Sequence, residues 1–541
     1  MNDLVKFGDK IVLTAVIALP ALGAFILMFF PRGSQHTDAH GHKGYSSDSA
    51  LKWAALGLSL LTFVLSLHLP CNFDYKQAGF QPQFDVDIPW IASPNIHFRL
   101  GVDGLSMWLV VLTTFLVPLS IISSWKSIHG RVKEFLVLML FQEAAMIGVF
   151  LSLDTFLFYV FWEATLIPMA LLIGVYGHER RVYAAVKFFL YTMVASVFML
   201  AAIIWLYIKT GSFDYLVIQA ALLNSADPAF TSALSVAAPW LFLAFFVAFA
   251  VKVPLFPFHT WLPDAHVEAP TAGSILLAGV LLKMGTYGLM RFNVALFPEQ
   301  ARVHAPWIIA LALIGIIYGA LVALVQPNLK KLIAYSSVSH LGFVVLGIFS
   351  FTTAGADGAI YQMLNHGVST GALFMLAGML YDRRHTYEIK QFGGLATPMP
   401  MYAMIFLLIT LSSIGLPLMN GFVGEFLILT GAFQAKGIYG MLATTGVIWS
   451  AGYMLWLYQR TFFGTIKLEV NRSLPDVDFR ERLAVFPLVA LALIMGLASP
   501  YWMKAIDPAA RAINEAHTSV IKKAFVGQQR MNEKNTGASD R

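Results

Sequence analysis

Apolar runs long enough to cross a bilayer follow one another along almost the whole of this chain, separated by short polar breaks. A helix needs about 18 residues or more to cross roughly 30 Å of hydrocarbon at about 1.5 Å per residue. On that measure the pattern predicts about fourteen spans, near 10–30, 50–69, 104–125, 134–152, 155–176, 184–208, 239–260, 270–292, 306–325, 329–350, 357–381, 400–431, 438–463 and 482–503. The first begins after Lys6 and Lys10 in the manner of a signal peptide. It then runs through apolar residues without a small-residue cleavage site before Pro31, so it is expected to stay as a helix. The expected fold is an all-α polytopic membrane protein.

The interruptions carry more information than the runs. Lys283 sits about halfway along the otherwise apolar stretch 275–290, ILLAGVLLKMGTYGLM. A charged side chain at the centre of a bilayer helix costs on the order of 3 kcal/mol, so it must face a bundle interior, a water-filled path or a partner. Glu143, Glu163, Lys252, His340, His366 and Glu425 interrupt other spans in the same way. Spread over most of the sequence, they read as stations on a path for a small cation, most simply a proton. Burial favours the uncharged form of acids and amines alike, which lets such groups exchange a proton near neutral pH. Histidine titrates there unaided.

Composition agrees with a membrane class: 58% of the 541 residues are hydrophobic and 12% charged, with mean hydropathy +0.70, where a soluble domain carries about 25% charge. The net charge of +6 is mostly topology. One alternating set of loops holds Arg32, Lys43, Lys126, Arg131, Lys133, Arg180, Arg181, Lys330, Lys331, Arg383, Arg384 and Arg460, and the other set is poorer and more acidic. The positive-inside rule then puts the basic set in the cytoplasm and both termini on the far side. Basic residues scattered over short loops leave no nucleic-acid footprint. Cys71 is the single cysteine, which excludes an internal disulfide and a Cys-ligated iron–sulfur cluster. Residues 504–541 form a polar tail of mixed charge, expected to be a frayed amphipathic end.

An internal repeat is legible. Phe198-Met199-Leu200-Ala201 in the sixth span matches Phe374-Met375-Leu376-Ala377 in the eleventh, Glu163 in the fifth falls opposite His340 in the tenth, and the seventh and twelfth hold Pro254-Leu255 and Pro417-Leu418. The copies, 134–292 and 306–463, are five helices apart and so lie in opposite membrane orientations. Pro254 and Pro257, and Pro417 among Gly415, Asn420, Gly421 and Gly424, are expected to break spans 7 and 12. Each break has a charge beside it, Lys252 or Glu425. Broken helices with a charge at matching positions of two halves are the pattern of an ion site near the midplane. The polar runs 335–340 and 365–370 are suited to holding water between stations.

Structural readings stand beside these. A Glu and a Lys inside a bundle form an ion pair, and serines in membrane helices bond back to their own backbone. His259 and His266 are expected at the cytoplasmic edge, orienting more than conducting. Arg291, Lys330, Lys331 and Arg460 lie near span ends and are expected to snorkel, with no part in transport.

Several motifs together resemble a known family. Ala250-Val251-Lys252-Val253-Pro254, then His259-Thr260-Trp261-Leu262-Pro263-Asp264-Ala265-His266, Ala269-Pro270-Thr271-Ala272-Gly273-Ser274, Lys331-Leu332-Ile333-Ala334-Tyr335-Ser336-Ser337-Val338-Ser339-His340 and Gly421-Phe422-Val423-Gly424-Glu425-Phe426 look like the antiporter-like subunits of respiratory complex I. Within that family, Glu425 marks the branch with glutamate where sodium/proton antiporter subunits and other relatives have lysine. The resemblance covers roughly residues 85 to 500. It implies fourteen helices with inverted five-helix repeats, Glu163 and Lys252 as a coupled pair, Lys283 as central relay, His340 as connector and Glu425 as the terminal group. Glu143, His259 and His366 are possible accessory groups, and the family leaves the role of Glu143 open. It also implies that NADH, flavin, iron–sulfur clusters and quinone belong to other subunits, with no cofactor or metal in this chain. The implied partners are other membrane subunits of the complex, neighbouring antiporter-like ones above all, and the bilayer. The alternatives are a subunit of a sodium/proton antiporter or a membrane-bound hydrogenase, and a passive spacer of a membrane arm. No HExxH zinc motif and no cysteine cluster supports an intramembrane enzyme. The His-rich insertion at 36–42 departs from the family and reads as a disordered loop, with metal binding as its alternative.

Overall fold

The computed structural model describes residues 2–37, 43–77, 79 and 81–515. Each apolar run has a helix. In order they are Asn2–Phe29, Asp48–Asn72, Met107–Ser123, Val132–Leu151, Thr155–Tyr176, Arg181–Thr210, Pro228–Lys252, Thr271–Val294, Pro298–Leu324, Leu329–Phe349, Thr353–Arg384, Pro400–Ser413 followed by Asn420–Ala435, Gly437–Phe462, and Phe479–Leu497 followed by Pro500–Glu515. Several start where the sequence supplies a cap. Asp154, Asp214, Asp227 and Asn328 accept hydrogen bonds from the first free N–H groups of their helices. Pro228, Pro298 and Pro400 occupy first positions, where a missing N–H costs nothing.

Among the described residues ten helices are long and apolar enough to cross a membrane, or eleven if the pair Phe479–Leu497 and Pro500–Glu515, bent by 68°, is one span. The expected fourteen is therefore not reached by length and apolarity. Met107–Ser123 has 17 residues and Pro400–Ser413 has 14, the latter cut short by the break after it.

Both expected breaks are present. The helix Pro228–Lys252 ends at the lysine, and after a turn-rich stretch the chain resumes as the short helix Trp261–Glu268. The second break, at 414–419, separates Pro400–Ser413 from Asn420–Ala435. There Gly415 takes φ +75°, and a side chain at that position would run into the Glu425 carboxyl.

A matching construction links the two halves. Asp154 caps its helix and bridges to Asp214, and Asn328 caps its helix and bridges to Glu388. The offsets are the same, 328 − 154 = 174 and 388 − 214 = 174.

Helices differ in what surrounds them. Thr271–Val294 and Thr353–Arg384 are wholly enclosed by protein and Leu329–Phe349 nearly so, whereas Arg181–Thr210 and Pro228–Lys252 leave more than half of their apolar windows unburied. The enclosed helices carry Lys283, His366 and His340.

The all-α expectation holds, and two small antiparallel hairpins accompany the helices, Gln35–Thr37 with Lys43–Tyr45 and Gln83–Ile91 with Ile96–Val102. The second occupies the acidic loop and is tied down by Arg99, which pairs with Asp85 on the facing strand and with Asp214. Most of the His-rich stretch 36–42 lies outside the described residues. Of the tail 504–541, residues up to 515 continue the helix Pro500–Glu515 and bury Ala505, Ile506, Ala509 and Ala510 along one side; the rest lies outside the described residues.

Candidate functional site

Lys283 stands between two π-helical turns, Leu277–Leu281 and Leu289–Val294. Such turns widen the backbone spacing and cluster at functional positions. The ammonium group donates to the Ala278 carbonyl in the first of these turns and lies 2.6 Å from Nδ1 of His366. The His366 ring is 5.9 Å, centre to centre, from that of His340. His340 Nδ1 in turn meets the Glu425 carboxyl at 2.8 Å. Four helices thus bring Lys283, His366, His340 and Glu425 into one buried row of two contacting pairs, with no hydrogen bond between the two histidine rings among the described residues. Polar neighbours hold its end: Gln362 donates to Glu425 at 3.0 Å, Asn365 donates to Gln362 at 3.0 Å, and Tyr453 lies 3.4 Å from the second His340 nitrogen.

The other half is arranged differently. Lys252 is buried with no hydrogen-bond partner among the described residues, its ammonium 5.4 Å from the Trp162 ring centre and 5.5 Å from that of Phe188. Glu163 is half-buried, with one carboxylate oxygen lacking a hydrogen-bond partner among the described residues, and lies within electrostatic reach of Lys252. No ion pair within 4.0 Å joins the two, so this conformation holds them unpaired. Glu143 is fully buried, and neither of its oxygens nor the side-chain amide of the adjacent Gln142 has a hydrogen-bond partner among the described residues.

His259 and His266 are buried, and for Lys330 and Arg291 the snorkelling expectation needs correcting. His259 sits in an aromatic cage of Phe256, Tyr318 and Tyr335, and His266 is fully buried, stacked 4.2 Å from Phe374. Lys330 does not snorkel: it is buried and donates to the Ala269 carbonyl at 2.6 Å. Arg291 is buried too. It donates to Asp103 at 2.5 Å and to Tyr287 at 3.2 Å, stapling the second π-helical turn to the residue that opens the third span. A charge near a span end looks the same in sequence whether it reaches water or a partner 188 residues away. The serine readings hold, since Ser336, Ser337 and Ser369 bond to backbone carbonyls of their own helices, while Ser339 reaches across to Ile316.

On the loop side, Pro270 and Thr271, where the Lys283 helix begins, line a cavity of about 620 Å³ that also meets His178, Tyr381, Asp382 and Arg383. Burial, reinforced by the nearby Lys330 charge, pushes His178 down to about 4. No group of three or more potential metal ligands is found among the described residues.

Residues 152–450 match the family described as NADH:quinone oxidoreductase/Mrp antiporter, and residues 49–153 match the amino terminus of NADH-ubiquinone oxidoreductase chain 4. NADH-quinone oxidoreductase subunit M of Rhodobacter capsulatus is 47% identical over 488 residues, covering 90% of this chain and 93% of that protein. The chain belongs to the subunit M and chain 4 family of NADH-quinone oxidoreductase. Chain 4 of Marchantia polymorpha is 42% identical over 486 residues, again across 90% of this chain. A chain in the structure of respiratory complex I from Thermus thermophilus with bound NADH superposes with a TM-score of 0.82 at 32% identity, covering 93% of this chain and 99% of that one. This subunit M-type chain is thus a multi-pass membrane protein related along nearly its whole length to complex I subunits.

Sequence reasoning named every group in the buried line but ranked His366 as accessory, whereas it lies between Lys283 and His340. Its surroundings, the polar run 365–370 within an apolar span, were the signal.

Proposed function

We propose that this chain moves protons through the membrane arm of an NADH:quinone oxidoreductase, driven by quinone reduction in other subunits. The observation that carries the reading is the buried row from Lys283 through His366 and His340 to Glu425, because two contacting pairs of buried ionisable groups with ring centres 5.9 Å apart are a costly arrangement that packing alone does not require. Lys283 is the central relay. His366 and His340, with ring centres 5.9 Å apart, pass a proton through a bridging water, and Glu425, beside the second broken helix, is the terminal group. Glu163 and Lys252 are the coupled pair that sets the state of the line. Their separation here fits a switch whose closure would stabilise both charges and whose opening releases a proton. Partial exposure of Glu163 fits a position against a neighbouring subunit.

The matching bridges support two inverted repeats at 134–292 and 306–463. The basic loops, with the cavity above Thr271, would face the cytoplasm, leaving both termini on the far side. Flavin, clusters and quinone would belong to other subunits. The family description also names Mrp antiporters; Glu425 in place of lysine argues against that reading, and pumping independent of sodium would exclude it.

Glu163→Gln in the assembled complex tests the switch. Proton pumping is expected to fall by at least tenfold and quinone reduction with it, with assembly intact. Normal pumping would remove Glu163 from the path.

A further inference from the structure

Away from the buried line, an apolar groove of about 400 Å³ runs between the second, third, eleventh and last spans. Its walls are Phe63 and Leu67, Val111 and Phe115, Leu364 and Val368, and Leu491 and Ile494. Leu60, Val64, Ile494 and Leu497, exposed around it, place its opening on the membrane-facing surface. The groove has direction. At one end Trp108, Tyr501 and Trp502 pack together with ring centres 5.3 to 5.8 Å apart, beside Pro70 and Cys71. All of these stand at helix ends, the level at which amphipathic rings collect in a bilayer. From Trp108 to Phe115 the slot then descends roughly 10 Å along the third span, taking about 1.5 Å per residue.

A polar atom is left over at that mouth. Trp108 is 7% exposed, and its indole N–H has no acceptor among the described residues. An unsatisfied donor in an apolar setting is costly, so an acceptor is expected from whatever fills the groove. The occupant must be apolar over most of its length and carry an oxygen acceptor at the interface level.

We propose that this groove binds an ester-linked membrane phospholipid, with one acyl chain in the slot and an ester carbonyl accepting from the Trp108 indole. A second polypeptide would meet the apolar walls but offer no reason for a narrow slot with one donor at its mouth. The site bears on the buried line: Leu364 and Val368 flank His366 on the same helix, and Leu112 lies close over Gly367. The lipid tail backs the wall that holds His366 away from the bilayer.

The test is to reconstitute the assembled complex in vesicles of phosphatidylethanolamine and phosphatidylglycerol containing a phospholipid with a photoreactive acyl chain, irradiate, and map adducts on this chain by peptide mass spectrometry. Adducts are expected at residues 63–71, 108–115, 364–368 and 487–502 at several times the density on the exposed helix Arg181–Thr210. Val111→Trp, which fills the slot, should remove this excess. Trp108→Phe keeps the ring and should cut retention through washing by roughly fivefold, the effect of one lost hydrogen bond. Adducts no denser than on Arg181–Thr210 would overturn the proposal and assign the groove to another polypeptide. Equal retention by wild type and Trp108→Phe would overturn the part played by the indole.

Discussion

At the residue scale, partnership separates two kinds of buried charge in this chain. Asp103 and Arg291 are mutually satisfied, with Asp103 also capping the turn that follows it through the N–H groups of Leu105 and Ser106. Breaking such a pair from one side leaves an uncompensated charge, so Asp103→Ala should destabilise by about 3–5 kcal/mol. Thermal inactivation of the assembled complex would report it, and the double variant Asp103→Ala with Arg291→Met should recover much of the loss. Lys283, His366, His340 and Glu425 differ because each touches another group that can take or give a proton. His366→Leu removes the link on both sides. Pumping should fall at least tenfold while the subunit still assembles, as measured by proton uptake in sealed vesicles and by native gel. Retained pumping would mean that the two histidines do not conduct in series.

At the element scale, helices are interrupted where the chemistry sits. Proline and glycine announced the breaks after Lys252 and before Glu425, because those residues cannot continue a hydrogen-bonded helix. The π-helical turns flanking Lys283 were not legible, since one extra residue per turn changes no composition and the stretch stays apolar throughout. The hairpin Gln83–Ile91 with Ile96–Val102 was also missed, its short strands reading as an acidic loop. The loop after Tyr176 makes a further prediction. His178 lies 3.3 Å from the Tyr381 hydroxyl in the folded chain, where burial and then the Lys330 charge push it down to about 4, against about 6.5 when unfolded. The unfolded chain therefore binds the proton more readily. This group's contribution to stability is complete above about pH 6.5 and is lost as pH falls toward 4. Melting followed between pH 4.5 and 7 should show that loss in the wild type and a weaker one in His178→Gln.

At the scale of the whole molecule, the membrane class and the helices were visible from apolar runs, because a bilayer forces each span to declare itself in composition. Which helices lie inside was not visible. Thr271–Val294 and Thr353–Arg384 are no more apolar than their neighbours, and only the charges they carry mark them as enclosed. The same limit hid the burial of Lys330 and Arg291 and the absence of a direct Glu163 to Lys252 pair. Long-range placement decides these, and one sequence shows it only through its cost. The central claim is that the enclosed charges conduct. Proton translocation by sealed vesicles holding the assembled complex with Lys283→Ala tests it most directly, with NADH oxidation by an artificial acceptor that bypasses the membrane arm as control. Lost pumping with an intact complex and normal acceptor activity is the predicted result. Unchanged pumping would contradict the account and make the buried line a structural support.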